Sequence, residues 1–149
     1  MPQSDHFILV GDSPLSRNSY RELVRRGLGV RVILQKAATD SFFHPEDVII
    51  GDASDVDVLR EAGAESARAV LALHTDDAEN AFVVLAVKEL QSVAKTVAAV
   101  SDSKNIKRME RVQPDLLIAP QVMGGEILAM ALNGETLSHQ IILRLFQGH

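Results

Sequence analysis

Six short apolar runs recur along the chain: Phe7–Val10, Val30–Leu34, Val48–Ile50, Ala69–Leu73, Thr96–Val100 and Leu116–Ile118. Longer, mostly amphipathic stretches separate them, and no other feature restricts the fold as tightly. Runs this short and this uniformly apolar suit strands covered by helices on both faces. The stretches between them read as helices. Leu15–Arg26 ends at Gly27, and Val56–Ala62 ends at Gly63. Ala78–Leu90 carries Ala78, Ala81, Phe82, Leu85 and Ala86 on one face, and Asn105–Val112 is short and polar. Repeated strand–helix units in a chain of 149 residues predict an α/β fold. The expectation is a Rossmann-like, doubly wound parallel six-stranded sheet in the order 3-2-1-4-5-6.

Two more helices follow the sixth strand, Val122–Leu132 and Ser138–Phe146, joined through "NGET". Gly134 suits a helix C-terminus and Ser138 the next N-cap. The whole of 1–149 reads as one domain, with a core over 5–120 and crossover and dimerisation helices over 121–149. Val122, Ile127, Leu128, Met130, Ala131 and Leu132 wrap much of the first extra helix. A helix that is apolar on more than one side has more than one partner. It either folds back on the sheet alone or also packs on a second copy, and a two-fold homodimer is the default assembly.

Charge and composition narrow the function. The net charge of −5 argues against a nucleic-acid partner, which would require a basic face. The absence of cysteine removes disulfide scaffolds and Cys-ligated metal centres. No apolar run approaches the ~20 residues of a membrane span, and the N-terminus lacks a signal-peptide pattern. The expectation is a chain that is soluble as given, with no direct membrane insertion of its own, and that could still be the cytosolic part of a longer membrane protein.

The first strand leads into "FILVGDSPLSRN", Phe7–Asn18, a strand that turns sharply into a helix. Dinucleotide-binding domains place Gly-x-Gly-x-x-Gly at this turn, and here those positions are Gly11, Ser13 and Ser16. Gly11 keeps the tight turn. Ser13 puts a Cβ and a hydroxyl where the pyrophosphate would lie. Ser13-Pro14 instead resembles a self-sufficient helix start, with serine as N-cap and proline at the first helical position. Asp12 adds negative charge beside the turn, whereas Arg17 is placed to reach an anion. The acid that grips the adenosine ribose belongs about 20 residues past the glycines. That position falls at Gln35 or Lys36, so the acid is missing. Three readings stay open: an NAD site, a site for some other adenine nucleotide, and a purely structural crevice.

Two further loops, "GDASD" (Gly51–Asp55) and "HTDDAEN" (His74–Asn80), follow the third and fourth strands at the sheet edge where ligands of such folds bind. Asp52, Asp55, Asp57, Asp76, Asp77 and Glu79 offer oxygen ligands for a hard cation. Helix capping explains the same residues better, so no metal site is assigned. The five histidines show no ligand spacing, and "GDSPLS" is not a nucleophile elbow. No catalytic residue is assigned.

Taken in order, "HFILVGDSPLSRN", "IIGDASDVDVLREAGAESARAVLAL", "DDAENAFVVLAVKEL" and "TVAAVSDSKNIKRMERVQPDLLIAPQVMGGEILAMALNGE" resemble an RCK domain. This is the regulator-of-potassium-conductance, or TrkA N-terminal, family. The wording is nearest to the cytoplasmic domain of bacterial voltage-gated-like potassium channels of the Kch type. The resemblance implies a non-enzymatic regulatory lobe that forms a homodimer and assembles into a gating ring. Its partner would be a potassium-channel pore domain or a potassium transporter, and it would be the cytosolic part of an inner-membrane protein. It further implies that Gly11, Ser13, Pro14, Leu15, Gln35, Lys36, Gly51, Asp52, Ala53, His74, Thr75 and Asp76 surround a nucleotide. The ligand would be an adenine nucleotide (AMP, ADP or ATP) or NAD(H). An NAD-dependent enzyme or redox sensor on the same fold, and a Ca²⁺-operated gating domain, are the alternatives.

Overall fold

The computed structural model describes residues 4–135. Its strands are β1 (Phe7–Val10), β2 (Val30–Leu34), β3 (Val48–Ile50), β4 (Ala69–Ala72), β5 (Lys95–Ala99) and β6 (Leu116–Ile118). Its helices are α1 (Pro14–Arg25), α2 (Val56–Glu61), α3 (Asp77–Glu89), α4 (Ile106–Val112) and α5 (Pro120–Leu132). The strands form one six-stranded sheet in the order β3-β2-β1-β4-β5-β6. Every pairing is parallel. β1 lies at the centre, with Phe7–Val10 in register with Val30–Ile33 on one side and Ala69–Ala72 on the other.

This is the doubly wound sheet expected from the apolar runs, with element ends moved by a residue or two. Two short 3₁₀ turns, Pro45–Asp47 and Ser103–Asn105, were not anticipated. The expected helix Ser138–Phe146 lies outside the described residues.

Alternate residues of each strand feed two cores, because side chains change face at every step. Ile8, Val10, Ile33 and Val70 pack with Leu59 of α2, Val83, Val84 and Val87 of α3, and Ile106 and Met109 of α4. On the other face Leu9, Val30, Val32 and Leu34 pack with Tyr20 and Leu23 of α1 and with Phe43. Ile8, Leu9, Val32 and Leu59 are wholly buried. Each such side chain contributes about 1.5–3 kcal/mol relative to exposure. α5 differs from the other long helices in having no fully buried residue. Leu128 is 65% exposed and Leu132 is 87% exposed.

Candidate functional site

A parallel sheet delivers every strand's carboxyl end to the same edge, and the turns from β1, β2 and β4 meet there. At the turn after β1, Gly11 has φ +108°, a conformation that side chains rarely allow. A Cβ at that position would lie 3.0 Å from His74 Nδ1 and 3.1 Å from the His74 backbone nitrogen. Gly11 thus serves both the turn and a close approach between the ends of β1 and β4.

Ser13 then starts α1. Its Oγ accepts the Ser16 N–H at 3.0 Å and donates to the Leu73 carbonyl at 2.5 Å. The Ser13 carbonyl accepts the Arg17 N–H at 3.0 Å. Pro14 has no N–H. In the first turn of α1, only the Leu15 amide is left over for a ligand. A dinucleotide fingerprint meets the pyrophosphate with backbone amides at this place. Here Ser13 holds them itself, and its side chain ties the helix start to the end of β4. Ser16 is fully buried beneath the turn.

Arg17 does not stand free to meet an anion, as the sequence alone suggested. Its Nε lies 2.6 Å from Asp12 Oδ1 and its Nη1 lies 2.8 Å from Asp40 Oδ2. Its guanidinium sits 4.9 Å from the centre of the Phe42 ring. The two carboxylate hydrogen bonds raise its pKa further above the ordinary arginine value. The guanidinium in turn holds the Asp40 carboxyl below the usual carboxylate range. The negative charge of Asp12 is therefore already met from within the chain.

His74 divides the sheet edge into two compartments. One, of about 240 Å³, is bordered by Ser13, Pro14, Leu15, His74, Thr75 and Ser101. The other, of about 290 Å³, is bordered by Gly11, Asp12, Gln35, Lys36, Thr39 and His74. Eight of the twelve expected site residues line one or both: Gly11, Ser13, Pro14, Leu15, Gln35, Lys36, His74 and Thr75. The other four do not. Ala53 is buried in the core. The Gly51 N–H donates to the Leu34 carbonyl at 2.8 Å, and a Cβ there would meet Val58 Cγ2 at 2.9 Å. Asp52 accepts the Ser54 N–H at 2.9 Å and the Ser54 hydroxyl at 2.7 Å, and these bonds hold its carboxyl below the usual range. Asp76 caps α3 by accepting the Glu79 N–H at 3.1 Å. It borders a separate hollow of about 640 Å³ along α3 and α4.

Asp55 and Asp77 hold groups of this chain. Asp55 accepts the Asp57 N–H at 2.9 Å. Asp77 accepts the Ser101 N–H at 2.7 Å, the Asp102 N–H at 3.2 Å and the Asn105 side-chain amide at 2.9 Å.

Two residues of the site take roles that the sequence reading did not give them. Asn80 is fully buried. Its Oδ1 accepts the His74 N–H at 2.8 Å, and its Nδ2 donates to the carbonyls of His74 at 2.8 Å and Ala99 at 2.9 Å. It fixes the turn that carries His74. The last residue of "DDAEN" was the available signal, since a polar side chain three residues into a helix points back at the preceding loop. The second is Glu79. Its Oε2 lies 3.5 Å from His74 Nδ1, and its Oε1 accepts from Gln35 Nε2 at 3.4 Å.

Comparison with known proteins agrees with this architecture. The TrkA-N domain family model matches residues 7–120. The voltage-gated potassium channel Kch of Escherichia coli is 43% identical over 157 aligned residues, which take in 100% of this chain and 38% of the channel. The chain thus spans about two fifths of that relative's length. Among solved structures, the GsuK channel bound to NAD superposes with a TM-score of 0.67 at 23% identity, over 82% of this chain and 23% of that one. The Kef C-terminal domain of Shewanella denitrificans in its AMP-bound form gives a TM-score of 0.69 at 18% identity, over 88% of this chain and 83% of that one. With the family model spanning all six strands and the alignment to a channel relative covering the whole of this chain, this chain belongs to the TrkA-N (RCK) domain family.

Proposed function

We propose that this chain is the regulatory lobe of a potassium channel or potassium-transport system. It acts without catalysis of its own and responds to an adenine nucleotide held at the carboxyl edge of the sheet. The observation that carries this reading is the 43% identity to a potassium channel along the entire chain. The site chemistry agrees with it. Ser13, Asp52, Asp55, Asp76 and Asp77 each engage at least one side-chain oxygen with a backbone or neighbouring group. The two compartments on either side of His74 have the combined size of a small ligand, with few amides available for a pyrophosphate.

The lobe pairs with a second copy through α5. Leu128 and Leu132 are apolar and exposed in the single chain, and Val122 joins the helix to the core. A dimer of this kind converts a change in the crevice into a relative rotation of two lobes, which an attached pore reads as force. The cytoplasmic side of an inner membrane is where such a lobe would work. No helix among the described residues is long and apolar enough to cross a membrane.

The decisive test joins this chain to a potassium-selective pore and records currents from excised patches. The expected result is an open probability that changes when AMP or ADP is applied to the lobe. Currents indifferent to AMP, ADP and NAD⁺ would overturn the regulatory reading. Calorimetry on the chain itself tests the ligand, with weak binding of NAD⁺ expected. Sub-micromolar NAD⁺ affinity would favour the redox-sensor alternative.

A further inference from the structure

The second compartment lacks an acid at the end of β2, where a ribose is normally gripped, yet it has one from another direction. Glu79 sits in the first turn of α3, and its side chain reaches back over the strand ends. Its carboxylate lies 3.4 Å from Gln35 Nε2, just past β2, and 3.5 Å from His74 Nδ1, just past β4. It therefore bridges the two strands that flank β1, above the place where Gly11 and His74 meet. Both contacts are long for charge-assisted bonds. An ionised carboxylate offers about four acceptor positions, and two loose contacts leave capacity for more. The Glu79 side chain is 42% exposed, so a ligand can reach it. Both of its partners, Gln35 and His74, line the compartment of about 290 Å³.

We propose that Glu79, together with Gln35, is the vicinal-diol acceptor of this site and makes it selective for ribonucleotides. The carboxylate accepts from the ribose hydroxyls, and the Gln35 amide, freed from Glu79, bonds the same pair from the β2 side. The missing acid of β2 is replaced by one from α3. This rests on the nucleotide reading above and adds the group that discriminates among nucleotides.

The test is calorimetric titration of the chain with AMP and with 2′-deoxy-AMP, for the wild type and for Glu79→Gln. The expected result is that wild type binds AMP about 10-fold or more tighter than 2′-deoxy-AMP, as loss of a hydrogen bond to a charged group implies. In Glu79→Gln the AMP affinity falls by a similar factor and the preference disappears, while the unfolding midpoint stays near that of wild type. A purely structural role for Glu79 would move both ligands together and leave the preference intact. Equal wild-type affinities, a preference that survives Glu79→Gln, or tighter AMP binding in the variant would each overturn the assignment. If wild type binds AMP without discriminating, the assignment alone fails. If it binds neither ligand, the nucleotide reading fails and the assignment with it.

Discussion

Gly11 and His74 approach so closely that a Cβ on Gly11 would stand 3.0 Å from His74 Nδ1 and 3.2 Å from its Cα, tighter than an ordinary contact. The His74 backbone cannot retreat, because Asn80 holds both its N–H and its carbonyl. Gly11→Ala adds a clash to a residue already at φ +108°. A non-glycine residue forced into such a conformation costs about 1–3 kcal/mol. We expect urea unfolding to show a loss of at least that size, with the slope unchanged. Nucleotide binding should weaken as well, because both compartments share His74.

Asn80→Ala tests the other half of the same contact. It removes three hydrogen bonds and leaves the His74 N–H and the His74 and Ala99 carbonyls without their partner. Each buried group left unsatisfied costs about 1–3 kcal/mol. The expected outcome is a chain destabilised more than by Gly11→Ala. Asn80→Asp should also destabilise it, since a carboxylate cannot donate to the two carbonyls. Chemical denaturation of the two variants side by side reads both effects.

The turn into α1 makes a prediction about cofactor choice. Ser13 uses its hydroxyl on Ser16 and Leu73, so the first turn offers one amide where a dinucleotide site offers several. Ser13→Gly, Ser16→Gly and Gln35→Asp together restore the two glycines and the ribose acid, and should raise NAD⁺ affinity. The structure adds a condition that the sequence did not show. Position 35 contacts Glu79 at 3.4 Å, so Gln35→Asp sets two carboxylates against each other. The gain should be larger when Glu79→Gln is added, and calorimetry of the triple and quadruple variants checks the order.

Tyr20, the single tyrosine, gives a spectroscopic handle on stability. Its hydroxyl donates to Asp47 at 2.7 Å and accepts the His44 N–H at 3.0 Å. Burial, and then the bond to Asp47, push its pKa up to about 12. The folded state therefore holds this proton more tightly than the unfolded chain, where tyrosine titrates near ~10. The stabilisation is complete below pH ~10 and is lost as pH rises through the folded value. Phenolate absorbance should show a midpoint near 12 for the native chain and near ~10 in denaturant. A native midpoint near ~10 would mean that the loop from Gln35 to Asp47 does not hold Tyr20 as described.

The sheet was legible because parallel strands buried on both faces leave uninterrupted apolar runs, and their order follows from handed crossovers. The helix start at Ser13-Pro14 was legible because capping is local. What stayed hidden depends on chain segments far apart in sequence. Arg17 looked available to an anion because nothing local shows that the loop after β2 returns Asp40 to it, 23 residues later, with Phe42 beneath. The meeting of Gln35 with Glu79 spans 44 residues and leaves no periodic signal. The turn at Gly51–Ala53 follows the family pattern in sequence, but Gly51 bonds the end of β2 and packs close to Val58 of α2, Asp52 holds Ser54, and Ala53 is buried in the core.

Assembly supplies the last prediction. α5 buries none of its residues fully within the single chain. Leu128 and Leu132 stand exposed, while Val122 is anchored against the core. Covering an exposed leucine contributes about 1.5–3 kcal/mol, so several such residues at one seam can hold a dimer together. A two-fold axis brings α5 against its own copy and requires no second kind of surface. The expected outcome is a wild-type chain that sediments as a dimer at micromolar concentration. Leu128→Glu places two like charges near the axis and should give monomers or insoluble protein. Leu132→Glu, further along the same helix, should act in the same direction. A monomeric wild type at high micromolar concentration, or a dimer indifferent to both substitutions, would place the seam elsewhere and leave the exposed leucines of α5 to another partner.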